Sequence, residues 1–249
     1  MSPRVSVVVP CRDDGAFLDQ AVASALAQTV VDLEVVVVDD GSTDPATRRL
    51  LDAYARPRTR VLRLPAGGVA RARNAGIAAA QGELLLPLDA DDVLDQGFVE
   101  KTARVLDARP DVGIVETEAV LFGDRSGPWD RPLFSMPQLL LGNTLSPCSL
   151  FRASDFRRTR GYDPRMERGW EDFDLWLSFV ELGLRAHRVP EALFRYRVRA
   201  GSLSARMRSG DWRNAYVRLF RNHPRLFLSH PQILPRYALR WLAGRPGPP

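Results

Sequence analysis

Three short acidic clusters carry the residue types and spacings that do chemistry. Asp89-Ala-Asp91-Asp92 leaves an apolar run, Glu83 to Leu88, so carboxylates two residues apart are presented together where the chain turns. Oxygen donors of this kind suit Mg²⁺ or Mn²⁺ shared with substrate phosphates. The ordinary reading is a turn or helix cap, and Asp92 and Asp95 fit it equally well. Asp39-Asp40-Gly41-Ser42 follows a second apolar run, where a carboxylate can accept hydrogen bonds from a nucleobase or ribose or simply form an Asx turn. Trp170-Glu171-Asp172-Phe173-Asp174 opens a helical pattern. A carboxylate there can serve as general base toward an incoming hydroxyl, or only complement the helix dipole. Position along the chain does not separate Glu171, Asp172 and Asp174.

The elements that must position these acids follow from periodicity. Val5 to Val9 is a β-branched run that stops at Pro10, and Leu33 to Val38 is a second buried strand. Apolar residues at helical spacing predict a helix from Phe17 to Gln28. Asp44-Pro45 reads as an N-cap followed by proline at the first helical position. Further along come a short strand from Arg60 to Leu64, a helix from Val69 to Ala80 and a strand from Glu83 to Leu88. A helix capped by Asp95 should run to about Ala108, with another strand beginning at Gly113 to Val115. Such alternation implies right-handed βαβ units, a mostly parallel central sheet flanked by helices, and ligands beyond the carboxyl ends of the strands. Pro10, Asp39-Asp40 and Asp89 to Asp92 all fall at those ends.

After Leu121 the alternation breaks, and Gly123 to Pro137 reads as a loop over the site. Trp170 to Leu182 is helical and Pro190 to Val198 is a strand. From Ser209 onward helices dominate, carrying Arg213, Arg218, Arg221, Arg225, Arg236 and Arg240 against the single acid Asp211. Arg245 to Pro249 reads as a frayed tail.

The 249 residues, 45% hydrophobic and 26% charged, suit one large α/β domain or one domain with a helical tail, and disorder is not the default. A formal net charge of +5 favours anionic partners without naming one. Cys11 and Cys148 lie far apart with no metal-ligand spacing, so a reducing cytoplasm is the expected compartment. No apolar stretch is long enough for a signal peptide or a span, so a soluble or peripheral protein is expected.

Five segments in order, Val5-Ser-Val-Val-Val-Pro10, Val36-Val-Val-Asp-Asp-Gly-Ser42, Ala72-Arg-Asn-Ala-Gly76, Pro87-Leu-Asp-Ala-Asp-Asp92 and Glu171-Asp172, closely resemble the family 2 glycosyltransferases of GT-A fold. The resemblance spans about residues 4 to 205. It implies a catalytic domain over 1–205, with a nucleotide-sugar half to about 115 and an acceptor half after it, followed by a basic helical extension over 206–249. By resemblance, Asp40 contacts the donor's base or ribose, Pro10 lines that pocket, and Arg73 and Asn74 lie beside the nucleotide. Asp89 and Asp91 match the metal motif for Mg²⁺ or Mn²⁺, with Asp91 the direct ligand and Asp89 also facing the donor. Asp172 matches the catalytic base. The implied activity is inverting transfer of a hexose from a nucleoside-diphosphate sugar, by preference a UDP-sugar, to a sugar, lipid-linked or small-molecule hydroxyl.

Two departures stand out. Arg12-Asp13 replaces a frequent aromatic-Asn pair, and Arg12 is carried with the nucleotide-binding residues. Arg199, in Arg195-Tyr-Arg-Val-Arg-Ala-Gly-Ser202, stands where the family often has histidine. Arginine does not ligate metal but pairs with phosphate oxygens, so a leaner metal site is expected. Trp129 and Trp170 are candidates to stack on an acceptor sugar, whereas Trp176 reads as core. His187, His223 and His230 read as surface or core residues rather than ligands.

A nucleotidyltransferase would want a glycine-rich basic loop where Pro10-Cys-Arg-Asp-Asp14 stands, and a dehydrogenase would want Gly-x-Gly-x-x-Gly. The rival from another class is a binding protein for anionic membrane or nucleic acid on an inactive scaffold. No recognition-helix or stacking signature supports nucleic acid, and a peripheral membrane contact through the C-terminal helices is the better fit.

Overall fold

The structure, a computed structural model, describes residues 3–166, 168–200, 202 and 207–244. The predicted tail at 245–249 and the boundary at 205/206 lie outside them.

Three runs of β-branched and leucine residues build the central sheet: β1 (Val5–Cys11), β2 (Leu33–Asp40) and β4 (Leu84–Pro87). Nearly every residue in them is buried, as expected of parallel strands covered on both faces. With β3 (Thr59–Leu64) and β8 (Phe151–Arg152) the order is β3-β2-β1-β4-β8, parallel except for β8. Helices α1 (Gly15–Leu26), α2 (Pro45–Asp52) and α3 (Val69–Ala79) make the crossovers. Asp44 caps α2 as its sequence predicts, accepting from Thr47 N at 2.7 Å with Pro45 in the first turn. At Gly76 a Cβ would meet Val8 Cγ1 at 2.4 Å, so α3 lies flush on β1 and only glycine permits that approach.

The strands predicted at Gly113 and over Pro190 to Val198 belong to a second, four-stranded sheet, β5-β9-β6-β7, which the sequence pattern does not separate from the first. Its strands are β5 (Val93–Leu94), β6 (Val112–Gly123), β7 (Gly127–Pro128) and β9 (Arg185–Val198). β9 starts five residues before the predicted strand, because Arg185 to Val189 pair with the buried β6 while alternating too weakly to read as a strand. Between Thr117↔Val189 and Glu118↔Ala192 the register shifts, and Pro190, which has no N–H to donate, sits in that bulge.

Asp95 is a correction. Helix α4 (Phe98–Ala108) is preceded by Gly97 in left-handed geometry, and the Asp95 carboxylate instead pairs with Arg195 Nε at 2.9 Å. The loop predicted over 123–137 contains β7, which folds back on β6, and ends in α5 (Met136–Leu141). Helix α6 (Ala153–Phe156) follows β8.

Helix α7 (Glu171–Glu181) is buried on almost every side. Against its start packs α8 (Ser209–Asn222), followed by α9 (Pro224–Leu228), a 3₁₀ turn (Pro231–Ile233) and α10 (Leu234–Ala243), which lies on α8 and α5. Phe151, Trp176, Phe179, Tyr216, Phe227 and Tyr237 form one aromatic cluster, so these helices share a core with the domain. Among the described residues, no helix is long and apolar enough to cross a membrane.

Candidate active site

The carboxyl ends of β1, β2 and β4 bring Pro10, Asp39-Asp40 and Asp89 to Asp92 to one edge, as the topology requires. Asp39 and Asp40 divide the turn after β2 between them. Asp39 Oδ1 accepts from Ser42 N at 2.9 Å, an Asx turn closed through Gly41 at φ 67°. Buried Asp40 accepts from Gly67 N at 2.7 Å and Gly68 N at 2.9 Å, fixing the entrance to α3, and Arg12 Nη1 stands 3.7 Å from Oδ2. Each oxygen keeps a second lone pair for a ligand.

Arg73, fully buried on α3, joins the two halves of the site. One nitrogen donates to Asp89 Oδ1 at 2.6 Å, the other donates to Glu171 Oε1, and the guanidinium lies 5.4 Å from the Tyr162 ring centroid. Asn74, expected beside the nucleotide, clamps a backbone segment: Nδ2 donates to Tyr162 O at 2.8 Å and Oδ1 accepts from Tyr162 N at 3.0 Å. One N–H and one lone pair of the amide are left for a ligand.

Around the Asp89 to Asp92 turn, a second arginine binds the acids. Arg199 Nε donates to Asp91 Oδ2 at 2.6 Å and Nη2 to Asp14 Oδ1 at 2.6 Å. Burial, reinforced by the Asp89 charge, raises the Asp91 pKa. Asp92 accepts from Arg197 N at 2.8 Å, its other oxygen has no partner, and burial pushes its pKa far up. Asp92 therefore ties β9 to the turn, in keeping with the structural reading of that residue.

Two acids open α7. Burial raises Glu171 to about 7 despite Arg73, and its Oε2 has no partner. Asp172 Oδ1 accepts from Phe173 N at 2.8 Å and Oδ2 from Asn143 Nδ2 at 2.8 Å. Burial raises its pKa, opposed by Arg73 and these two donors. Asp174, the third acid of the cluster, faces away from Arg73, to Asn222 Nδ2 at 2.7 Å and His223 Nε2 at 3.1 Å. The structure thus separates the three acids that the sequence leaves equivalent.

Asp14, Asn143 and Tyr162 were not singled out by sequence. Asp14 hid in the acid-rich stretch after β1, and Asn143 follows α5 without any pattern to mark it. Both tryptophans proposed for sugar stacking are engaged by the protein. Trp129 lies between Tyr196, 4.6 Å away, and Arg131, 4.5 Å away. Trp170 meets Phe173, Trp212 and Tyr216 edge to face.

The metal fit rests on Asp89 and Asp91. Their oxygens are hard donors, and the Asp89 side chain is 31% exposed at the open side of the turn. Among the described residues no cluster of three or more His, Cys, Asp or Glu is arranged to hold an ion. The pair suits a cation that takes its remaining oxygens from substrate phosphates.

The architecture is the GT-A glycosyltransferase fold. S. aureus TarS in complex with UDP-GlcNAc superposes with a TM-score of 0.66 at 21% identity, over 88% of this chain and 67% of that one. The mannosyltransferase PcManGT from Pyrobaculum calidifontis, in complex with GDP-Man and Mn²⁺, gives 0.65 at 21% identity, over 98% and 75%. The chain belongs to glycosyl transferase family 2, whose model matches residues 6–159. It is 33% identical over 226 residues to the succinoglycan biosynthesis protein ExoO of Rhizobium meliloti, covering 83% of this chain and 64% of that protein. The chain spans only 19% to 28% of the length of the first curated relatives it matches.

Proposed function

We propose that this domain transfers a sugar from a nucleoside-diphosphate sugar, by preference a UDP-sugar, to a hydroxyl acceptor with inversion at the anomeric carbon. The observation that carries this reading is Arg73, which holds Asp89 and Glu171 at once and so sets the acidic turn one side chain away from the start of α7. A donor-binding acid and a base-bearing helix are thereby fixed in one frame.

In this reading Asp40 and Arg12 face the nucleoside, with Pro10 beneath it, and Asp91 and Asp89 hold Mg²⁺ or Mn²⁺. A cation held by these two carboxylates would supply Lewis-acid neutralisation of the diphosphate's negative charge. Asp172 takes the proton from the acceptor hydroxyl as that oxygen attacks opposite the leaving group. Asn143 and the Phe173 N–H aim the Asp172 carboxylate and oppose the upward pull of burial on its pKa. Glu171, one residue earlier, shares Arg73 and is the positioning partner. Support comes from the UDP-GlcNAc and GDP-Man held by the two structural neighbours.

The test is calorimetric titration of the wild type and Asp91→Ala with UDP, GDP and dTDP, with and without Mn²⁺. One nucleotide should bind, more tightly with metal and more weakly in the variant. Absence of binding to every nucleotide, with or without metal, overturns the donor site. A product retaining the donor's anomeric configuration, read by NMR, overturns the single-displacement mechanism.

A further inference from the structure

Helix α10 turns its apolar stripe outward. Ile233 and Tyr237 are buried against the domain, and the Tyr237 hydroxyl donates to Tyr216 O. Pro235, Ala238, Leu239 and Leu242 recur at i, i+3, i+4 and i+7, and all four are exposed. Leu239 is 65% and Leu242 58% exposed, with Trp241 at 38% and, at the end of α9, Leu228 at 61%. A helix packed only on its own domain places such a stripe inward. Here the domain takes the other face.

The charge of this segment limits what the stripe can meet. Residues 209–244 contain six arginines and one acid, a net charge equal to the +5 of the whole chain, so the remainder sums to zero. The acid, Asp211, is engaged as a cap by Arg208 N at 2.9 Å. Arg221, Arg225 and Arg236 are exposed, and no ion pair to any of them occurs among the described residues. A second copy of the chain would bring the same positive surface against itself, and a nucleic acid offers no apolar phase for four side chains. An anionic bilayer supplies both a negative surface and an apolar layer beneath it.

We propose that α9 and α10 dock the domain on an anionic membrane surface, with Leu228, Leu239 and Leu242 entering the acyl boundary and Arg225 and Arg236 meeting lipid headgroups. The docking helix is also tied to the acidic site. Arg240 donates to Leu141 O, and Asn143, two residues further on, holds the Asp172 carboxylate. The catalytic meaning of that tie, an acceptor hydroxyl carried on a lipid, rests on the transfer reading above; the docking itself does not.

The experiment is co-sedimentation of the full chain with vesicles of phosphatidylcholine alone or mixed with phosphatidylglycerol, at low and high salt. Binding should require phosphatidylglycerol and weaken with salt. Leu239→Asp with Leu242→Asp should weaken it at least tenfold, roughly the loss of two partly inserted leucines. Arg225→Glu and Arg236→Glu should each weaken it about fivefold or more. These side chains are exposed, and the arginine variants test the surface even if the leucine variant misfolds. Equal binding to both vesicle types, unchanged binding in the variants, or a dimer in light scattering that Leu239→Asp dissociates would each overturn the proposal. Nucleotide titration of the same variants separates this outcome from failure of the donor site.

Discussion

Arg199 donates through Nε to the Asp91 carboxylate at 2.6 Å, placing a fixed guanidinium charge on the residue proposed above as the direct metal ligand. The same side chain spans to Asp14, so two acids that repel each other share one internal cation. A divalent ion entering at Asp91 must displace this guanidinium or share the carboxylate with it. Arg199→Ala should therefore tighten nucleotide-free Mn²⁺ binding by about fivefold or more, the order of one partly screened charge contact. Electron paramagnetic resonance of free Mn²⁺ measures this directly. Unchanged or weaker binding would remove Arg199 as a competitor.

Asp172 should act only when ionised, so the rate should fall as pH drops through its pKa. Burial raises that pKa, and Asn143 is one of the groups pulling it back. Asn143→Ala should move the acid limb of the kcat profile toward higher pH by about one unit, equivalent to one hydrogen bond to a charged group. Asp172→Asn should lower kcat by roughly 10²- to 10⁴-fold with nucleotide affinity retained. An acid limb that stays in place in Asn143→Ala would mean another group sets it.

Sequence was informative where chemistry and strand ends coincide. Asp40, Asp89 and Asp91 stand out as acids at the ends of buried strands, while their roles, and Arg73 altogether, come from the resemblance to the glycosyltransferases. What those side chains touch was not legible. Arg73 meets Glu171 across 98 residues, and Arg199 meets Asp14 across 185, distances no local period encodes. Asn74 is expected beside the nucleotide, and what no local pattern shows is that its amide also clamps the Tyr162 backbone. The strand over Pro190 to Val198 is legible, but its pairing with β6 in a separate sheet and its first five residues are not, because β9 is half exposed and bulged at Pro190. Asp95 looked like a cap because acids favour that position, yet Gly97, with φ 86°, makes the turn into α4.

Arg73 is a buried cation held by two acids, so truncating it leaves Asp89 and Glu171 facing each other without a counter-charge. Arg73→Met should cost about 3 to 5 kcal/mol of stability. For a chain of this size each kcal/mol lowers Tm by about 2 to 4 °C, which calorimetry resolves easily. Arg73→Lys should recover only part of the loss, because an ammonium lacks the planar fork that reaches both carboxylates. Full recovery by lysine would show that charge alone suffices.

His223 makes stability depend on pH in a defined direction. The ring is fully buried, with Nε2 3.1 Å from Asp174 Oδ1 and Nδ1 2.9 Å from Glu181 Oε2. Burial draws its pKa down, but hydrogen bonds and charge from Asp174 and Glu181 outweigh it, and the net shift is upward. Asn222 also donates to Asp174 Oδ1, at 2.7 Å, so the acid is shared. With the folded pKa above the unfolded value near 6.5, the folded protein holds the extra proton. The contribution is fully present below 6.5 and is lost as pH rises through the folded pKa. Glu171 acts in the same sense at lower pH: its raised pKa of about 7 favours the folded state most when protonated. The wild-type Tm alone therefore mixes the two groups. The difference between wild type and His223→Gln isolates the imidazole, and it should be largest near pH 6 and shrink toward pH 8.5. A difference that is flat across that range would mean His223 carries no extra proton in the folded state.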